Sequence, residues 1–186
     1  TGNFKMSKKA LFLDRDGVII VNYGYVHEQK NFDFIEGIFD LVRLAKSNDF
    51  LVFVITNQAG IARGYYSIED FNVLGAWMMM QFVSQGAAID KIYFSPYHPT
   101  EGKGEFLKDD FSRKPNPKMI LDACSGYDVD LAQSILVGGK MTDIEAGQRA
   151  GVGRNILLTD MASSGNHECV SRLKDFLGYL RSSVSG

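Results

Sequence analysis

The most informative stretch of this sequence is ALFLDRDG, residues 10–17. Its first four residues are apolar without alternation, which is typical of a strand buried on both faces of a parallel sheet. Asp14 and Asp16 follow at once, and on an extended segment their two carboxylates point the same way. Gly17 then permits a sharp turn. A purely structural Asp-Gly turn is the alternative interpretation, and this stretch by itself does not decide between the two.

Apolar runs followed by amphipathic stretches recur along the chain. Runs rich in Val, Ile, Leu and Phe predict further strands over residues 50–55, 91–94, 134–137 and 155–158. Helical periodicity and capping residues predict helices over 38–46, 67–86, 116–124, 143–150 and 167–180. Strands that alternate with helices imply right-handed βαβ crossovers. We therefore predict an α/β fold, a Rossmann-like doubly wound parallel sheet with helices on both faces, in a single domain over residues 9–181.

Charge and composition exclude several classes of protein. The 186 residues include 20 Lys and Arg against 22 Asp and Glu, a net charge of -2, whereas nucleic-acid binding needs a surplus of cations. No apolar run approaches the roughly 20 residues that a membrane span requires. Cys124 and Cys169 form neither a CxxC pattern nor a disulfide framework, so we expect a cytoplasmic protein. We interpret Met6 as the native start and residues 1–5 as a remnant of cloning.

Polar residues follow the predicted strands at the points where a doubly wound sheet binds its ligands, beyond the carboxyl ends of the strands. TNQ (56–58) follows the second strand, and RK (113–114) stands just before a capped helix. The fourth strand runs into GGK (138–140), with Asp143 beyond it. Hydroxyl, amide, cationic and exposed N–H groups in these places suit a phosphate.

Four of these segments carry a family resemblance: FLDRDGVI (12–19), TNQAGIARG (56–64), RKPNP (113–117) and VGGKMTDIEAGQRAG (137–151). In order and spacing they resemble the motifs of the haloacid dehalogenase-like phosphatases, over about residues 10–160. The segments YGYVHE (23–28), NF (31–32) and FIEG (34–37) are similar to a substrate-facing loop in one branch. Members of that branch remove the 7-phosphate of D-glycero-D-manno-heptose 1,7-bisphosphate, a step toward nucleotide-activated heptose for lipopolysaccharide or capsule.

The resemblance implies a role for each matching residue. Asp14 would attack phosphorus and form an aspartyl-phosphate, while Asp16 would act as general acid and then as general base. Thr56 and Lys114 would bind phosphoryl oxygens. Mg²⁺ would be held by Asp14 and by the main-chain carbonyl of Asp16. The residues implied to bind substrate are Asn22, Tyr23, Gly24, Tyr25, Asn57, Gln58, Arg113 and Lys140.

This chain departs from the family pattern in two places. Gly139 stands where the family has an aspartate that binds magnesium, so we expect impaired metal binding. A water molecule in place of the missing ligand, recruitment of Asp143 as a ligand, and poor catalysis are all open at this point. The second departure is at the positions of a zinc-binding loop in the branch, which here are Ser95, Tyr97, Asp110 and Ser112. Without thiolates a tetrahedral zinc site is not expected, and we predict no zinc.

The sequence thus predicts a magnesium-dependent phosphoric monoester hydrolase that acts on a small sugar phosphate. We expect it to bind neither nucleic acid nor membrane and to be a monomer, as compact members of the family without a large cap domain often are. Histidinol phosphate, or another small phosphomonoester, is an alternative substrate. A sugar-phosphate-binding protein that is impaired in catalysis by Gly139 is a second alternative. Arg63 and Lys103 are interpreted as surface charges.

Overall fold

The computed structural model describes residues 6–161, 165 and 167–184. Its centre is a parallel sheet with the strand order β3-β2-β1-β4-β5-β6. The strands are β1 (Ala10–Leu13), β2 (Leu51–Asn57), β3 (Lys91–Ser95), β4 (Ile135–Gly138), β5 (Arg154–Leu158) and β6 (Glu168–Val170). Leu11 of β1 lies opposite Val52 on one side and Ile135 on the other, so β1 is central. The predicted doubly wound sheet is confirmed.

Helices cover both faces of this sheet. They are α1 (Ile38–Ser47), α2 (Ala59–Ala62), α3 (Ile68–Ser84), α4 (Lys118–Tyr127), α5 (Met141–Ala150) and α6 (Leu173–Val184). Leu11 and Leu13 of β1 pack in a cluster with α1, α3 and α6, whereas Phe12 packs in a second cluster with α4 and α5. Successive strand residues point to opposite faces, so an unbroken apolar run supplies both clusters. In the described residues these layers account for the fold without a separate cap domain.

The prediction for the C-terminal part was wrong at its start. Residues 167–180 were expected to be one helix, but Glu168–Val170 form β6 and the helix begins at Leu173. Ile156 of β5 pairs with Glu168, and Arg154 forms an ion pair with Glu168 at 2.9 Å. Pairing with the open edge of β5 outweighs the local helical pattern, because propensity is a weak preference that tertiary contacts override.

Other boundaries differ from the predicted ones by one to three residues. The helix expected from Asn116 has Pro117 as its N-cap and begins at Lys118, and the helix expected from Asp143 begins at Met141. Residues 1–5, interpreted as a cloning remnant, lie outside the described residues. Within the described part of the chain, every helix is too short or too polar to cross a bilayer.

Candidate active site

A cavity of about 460 Å³ opens beyond the carboxyl ends of β1, β2 and β4. It is lined by most of the residues singled out from the sequence: Asp14, Asp16, Asn22, Gly24, Tyr25, Asn57, Gln58, Arg113, Lys114, Lys140 and Asp143. Thr56 lies behind this lining and is fully buried. Tyr23, in contrast, does not line the cavity. It is 60% exposed, and its hydroxyl donates to the Asp33 carboxylate at 2.6 Å.

A buried ammonium joins two carboxylates in this cavity. Lys114 Nζ lies 2.9 Å from Asp14 Oδ1 and 2.6 Å from Asp143 Oδ1, and it also donates to the Ile55 carbonyl at 2.8 Å. Burial raises the pKa of Asp14 to about 7, against the opposing effect of Lys114. Burial would lower the pKa of Lys114, but Asp14 and Asp143 raise it above its usual value. Lys114 therefore stays charged beside the carboxylate expected to attack phosphorus.

Asp143 is held by the first turn of α5. Its Oδ2 accepts hydrogen bonds from the N–H groups of Gly139 at 2.9 Å and Lys140 at 3.0 Å, while its Oδ1 faces Lys114. Such a carboxylate is favoured at a helix N-terminus. A Cβ at Gly138 would collide with the Asp143 side chain, so glycine is required there. Both oxygens of Asp143 thus have partners within the protein, two main-chain N–H groups and the Lys114 ammonium.

Asp16 is fixed by a residue that the sequence reasoning missed. Arg15 is 3% exposed and binds both carboxylate oxygens of Asp16, Nη2 to Oδ1 at 2.9 Å and Nε to Oδ2 at 3.1 Å. The same guanidinium donates to the Val26 carbonyl at 2.7 Å and so anchors the loop that carries Asn22 and Tyr25. The signal available in the sequence was an arginine between two candidate catalytic aspartates.

Asn57 and Gln58 were expected to contact substrate, and the structure gives both amides partners within the protein. Asn57 Oδ1 accepts from the Lys114 N–H at 3.0 Å, and Asn57 Nδ2 donates to the Lys114 carbonyl at 3.1 Å. Gln58 Nε2 donates to Thr56 Oγ1 at 2.8 Å and to Asp16 Oδ2 at 3.2 Å. Asn57 therefore holds the main chain of Lys114 in register with the tip of β2.

Arg63 was interpreted as a surface charge, and that interpretation was wrong. Its side chain lines the cavity and lies over the Tyr25 ring, with 5.5 Å from the guanidinium carbon to the ring centroid. Its Nε is buried and has no hydrogen-bond partner among the described residues. The cavity is thus lined by four Lys and Arg side chains, those of Arg63, Arg113, Lys114 and Lys140, which suit an anionic ligand.

Three of the four positions compared with a zinc-binding loop are joined to one another by hydrogen bonds, and the fourth, Tyr97, is bonded to Arg113. Ser112 Oγ donates to Ser95 Oγ at 2.8 Å, and the Ser112 N–H donates to Asp110 Oδ1 at 2.9 Å. Arg113 Nη1 donates to the Tyr97 carbonyl at 3.1 Å. These contacts tie the start of the long loop after β3 to its end, next to Arg113 and Lys114.

The oxygen groups available for magnesium are the Asp14 carboxylate and the Asp16 main-chain carbonyl. A Cβ at Gly139 would stand 3.7 Å from the Asp16 carbonyl oxygen and 3.5 Å from that of Gly17, so position 139 faces these groups. The described residues contain no cluster of three or more His, Cys, Asp or Glu able to hold a metal. Since Mg²⁺ is usually bound through one or two carboxylates together with substrate phosphates and water, the remaining groups fit it.

Comparisons with known proteins agree with this geometry. A HAD-hydrolase-like family model matches residues 111–174. A D-glycero-alpha-D-manno-heptose-1,7-bisphosphate 7-phosphatase of Burkholderia mallei is 51% identical over 159 residues, 86% of this chain and 84% of that protein. A D-glycero-beta-D-manno-heptose-1,7-bisphosphate 7-phosphatase of Vibrio cholerae is 44% identical over 153 residues, 82% of each.

One solved structure is similar to this chain over most of the length of both proteins. It is the D,D-heptose 1,7-bisphosphate phosphatase from B. bronchiseptica complexed with magnesium and phosphate, with a TM-score of 0.81 and 25% identity. The match covers 94% of this chain and 99% of that one. This chain belongs to the haloacid dehalogenase-like phosphatases, a family of phosphoric monoester hydrolases.

Proposed function

We propose that this protein removes the 7-phosphate of D-glycero-D-manno-heptose 1,7-bisphosphate in a magnesium-dependent reaction, during synthesis of nucleotide-activated heptose. The observation that carries the proposal is the buried pair of Asp14 and Lys114, 2.9 Å apart, in a cavity whose rim carries Arg63, Arg113 and Lys140. A carboxylate nucleophile and a phosphate dianion repel each other, so the reaction needs cations at that point. The choice of substrate in this proposal follows from the relatives, which are named as heptose-1,7-bisphosphate 7-phosphatases.

The chemistry divides between two aspartates. The Asp14 carboxylate attacks phosphorus, the bond between phosphorus and the sugar oxygen breaks, and Asp16 gives a proton to that oxygen. Asp16 then takes a proton from water, which attacks the aspartyl-phosphate and releases phosphate. Lys114 holds the phosphoryl oxygens, and its charge matters because most of the catalysis in phosphoryl transfer is electrostatic.

Magnesium would be held by the Asp14 carboxylate and the Asp16 main-chain carbonyl. When bound, it offsets the negative charge of the carboxylate and of the phosphoryl oxygens. Its affinity for this chain should be low, because Gly139 supplies no oxygen where a carboxylate could stand.

The test is phosphate release from both anomers of heptose 1,7-bisphosphate and from histidinol phosphate, with magnesium titrated in each assay. We expect release from a heptose bisphosphate, with the 1-phosphate retained in the product. Release of phosphate only from histidinol phosphate would contradict the proposed heptose substrate. Binding of the sugar phosphate without release of phosphate at saturating magnesium would contradict the proposal that the protein is an enzyme.

Asp14→Asn should abolish both the release of phosphate and the acid-stable phosphoenzyme signal. Full activity in that variant would exclude Asp14 as the nucleophile.

A further inference from the structure

A chain of hydrogen bonds runs along the wall of the cavity from Tyr66 through Gln58 to Thr56 and Asp16. Gln58 is 2% exposed, and its Nε2 lies 2.8 Å from Thr56 Oγ1 and 3.2 Å from Asp16 Oδ2. A side-chain amide nitrogen carries two hydrogens, so this nitrogen can serve both acceptors at once. The amide oxygen, on the other side, accepts from the Tyr66 hydroxyl.

The Asp16 carboxylate, which can only accept, selects one of the two orientations of the Gln58 amide, and the Tyr66 hydroxyl holds the amide in that orientation by donating to its oxygen. With the amide turned over, its oxygen would face the Asp16 carboxylate, acceptor against acceptor, and its NH₂ group would face Tyr66. Since Asp16 needs a donor and Tyr66 supplies one, the observed orientation satisfies every group. Burial raises the pKa of Tyr66 to about 12, so its hydroxyl stays a donor across the physiological range.

The Tyr66 ring is itself held in place by packing. It is 7% exposed and stacks on the His27 ring, with centroids 5.0 Å apart and planes at 11°. The ring also lies against the main chain at Gly60, where a Cβ would collide with it, and packs with Ile61 and Phe71. His27 Nδ1 donates to the Tyr25 carbonyl at 2.8 Å, so the loop that lines the cavity braces the ring as well.

The orientation of Gln58 has a consequence for each partner. Thr56 Oγ1 accepts from Gln58 Nε2 at 2.8 Å and donates its own hydrogen to the Asn57 carbonyl, with 3.4 Å between the two oxygens, so Gln58 fixes the position of this hydroxyl. Asp16 Oδ2 is held by Gln58 and Arg15 together, so the carboxylate keeps its position in the cavity.

We propose that Tyr66 is a positioning residue of this phosphatase, and that it acts through the Gln58 amide on the proton donor Asp16 and on Thr56. The inference rests on the proposed function in taking Asp16 as the group that protonates the leaving oxygen. It does not depend on which sugar phosphate is the substrate. A misplacement of about 1 Å in a catalytic group is enough to lower a rate substantially.

The test compares Tyr66→Phe with Tyr65→Phe on two esters, glycerol phosphate and p-nitrophenyl phosphate. The phenylalanine at 66 keeps the packing on Gly60 and His27 and removes only the donor. Tyr65 is an exposed neighbour and serves as the matched control. Glycerol leaves as a poor leaving group that needs a proton, whereas nitrophenolate leaves without one. For Tyr66→Phe we expect kcat/KM, which reports formation of the aspartyl-phosphate and departure of the alcohol, to fall about tenfold on glycerol phosphate and about twofold on the nitrophenyl ester.

A double-mutant cycle gives a second readout. Gln58→Leu should show the same dependence on the ester, and the double variant Tyr66→Phe/Gln58→Leu should lose no more than Gln58→Leu, because the two residues act in series. Additive losses, equal losses on both esters, or a Tyr66→Phe enzyme that matches Tyr65→Phe would each overturn the inference. Wild-type protein that releases no phosphate from heptose bisphosphate would refute only the proposed substrate, since the comparison of the two esters does not use it.

Discussion

At the scale of single residues, the adjacent glycines 138 and 139 differ in what they allow. A side chain at Gly138 would collide with Asp143, so that position must stay glycine. At Gly139 the nearest atoms to a new Cβ are 3.5–3.7 Å away, which is ordinary contact. The surroundings of Gly139 therefore leave room for a side chain, and packing does not require glycine at this position.

Gly139→Asp should bind magnesium at least about tenfold more tightly than the wild type, because it adds a carboxylate beside the Asp16 carbonyl; even indirect partners of a metal are commonly worth that much. Calorimetric titration of the protein with MgCl₂ measures this directly, without turnover. The control is Gly139→Ala, which adds the Cβ without the oxygens and should leave the affinity unchanged. Equal magnesium affinities in the aspartate and alanine variants would show that position 139 does not face the metal.

At the scale of elements, the loop after β3 is closed by polar contacts that end at Arg113 and Lys114. Asp110 is central to these contacts, because it accepts from Ser112 and pairs with Lys108 at 3.0 Å. The hydrogen bonds from Ser112, followed by Lys108, lower the pKa of Asp110 from 3.8 to about 2. A carboxyl whose pKa is depressed in the folded state stabilises that state above its unfolded pKa.

Asp110→Asn should therefore lower the free energy of unfolding by about 1 kcal/mol above pH 4, with faster hydrogen exchange in residues 96–112. The difference from the wild type should shrink as the pH falls from 3.8 toward 2, where the native carboxyl also becomes protonated. Asp109→Asn is the neighbouring control. A difference that stays constant over this range would mean that the charge of Asp110 contributes nothing to the loop.

At the scale of the whole molecule, Lys114 connects parts of the chain that are far apart in sequence. Its ammonium contacts Asp14 at the end of β1, the Ile55 carbonyl in β2 and Asp143 in α5. It lies 100 residues from Asp14 along the chain. Removing one partner from a buried ionic cluster leaves uncompensated charge, which commonly costs about 3–5 kcal/mol.

Lys114→Met should abolish phosphatase activity and lower the free energy of unfolding at pH 7 by about 3 kcal/mol, measured by urea denaturation. Without the ammonium, the pKa of Asp14 rises further. Protonation of Asp14 at acidic pH removes the uncompensated buried charge, so the loss of unfolding free energy becomes smaller there. Lys118→Met removes an exposed ion pair with Asp122 and should cost less than about 0.5 kcal/mol. Similar losses in the two variants would contradict a special role for the buried cluster.

The sequence by itself was enough to predict the parallel sheet and the position of the site. Unbroken apolar runs such as Ala10–Leu13 can be buried only between two layers, and the polar residues that follow them come together wherever parallel strands end at one edge. Asp14, Lys114 and Asp143 could therefore be assigned to one cavity from their places in the strand and helix pattern.

Tertiary structure decided what individual side chains do at that site. Asn57 and Gln58 line the cavity as expected of substrate-binding residues, and only the structure shows that their amides also bind Lys114 and the Asp16–Thr56 pair. Arg63, expected at the surface, lines the cavity as well. Likewise, Glu168–Val170 pair with β5 instead of extending a helix. The local sequence pattern indicates whether a residue is buried. The hydrogen-bond partner of a polar group depends instead on which distant segments the fold brings within about 3 Å of that group.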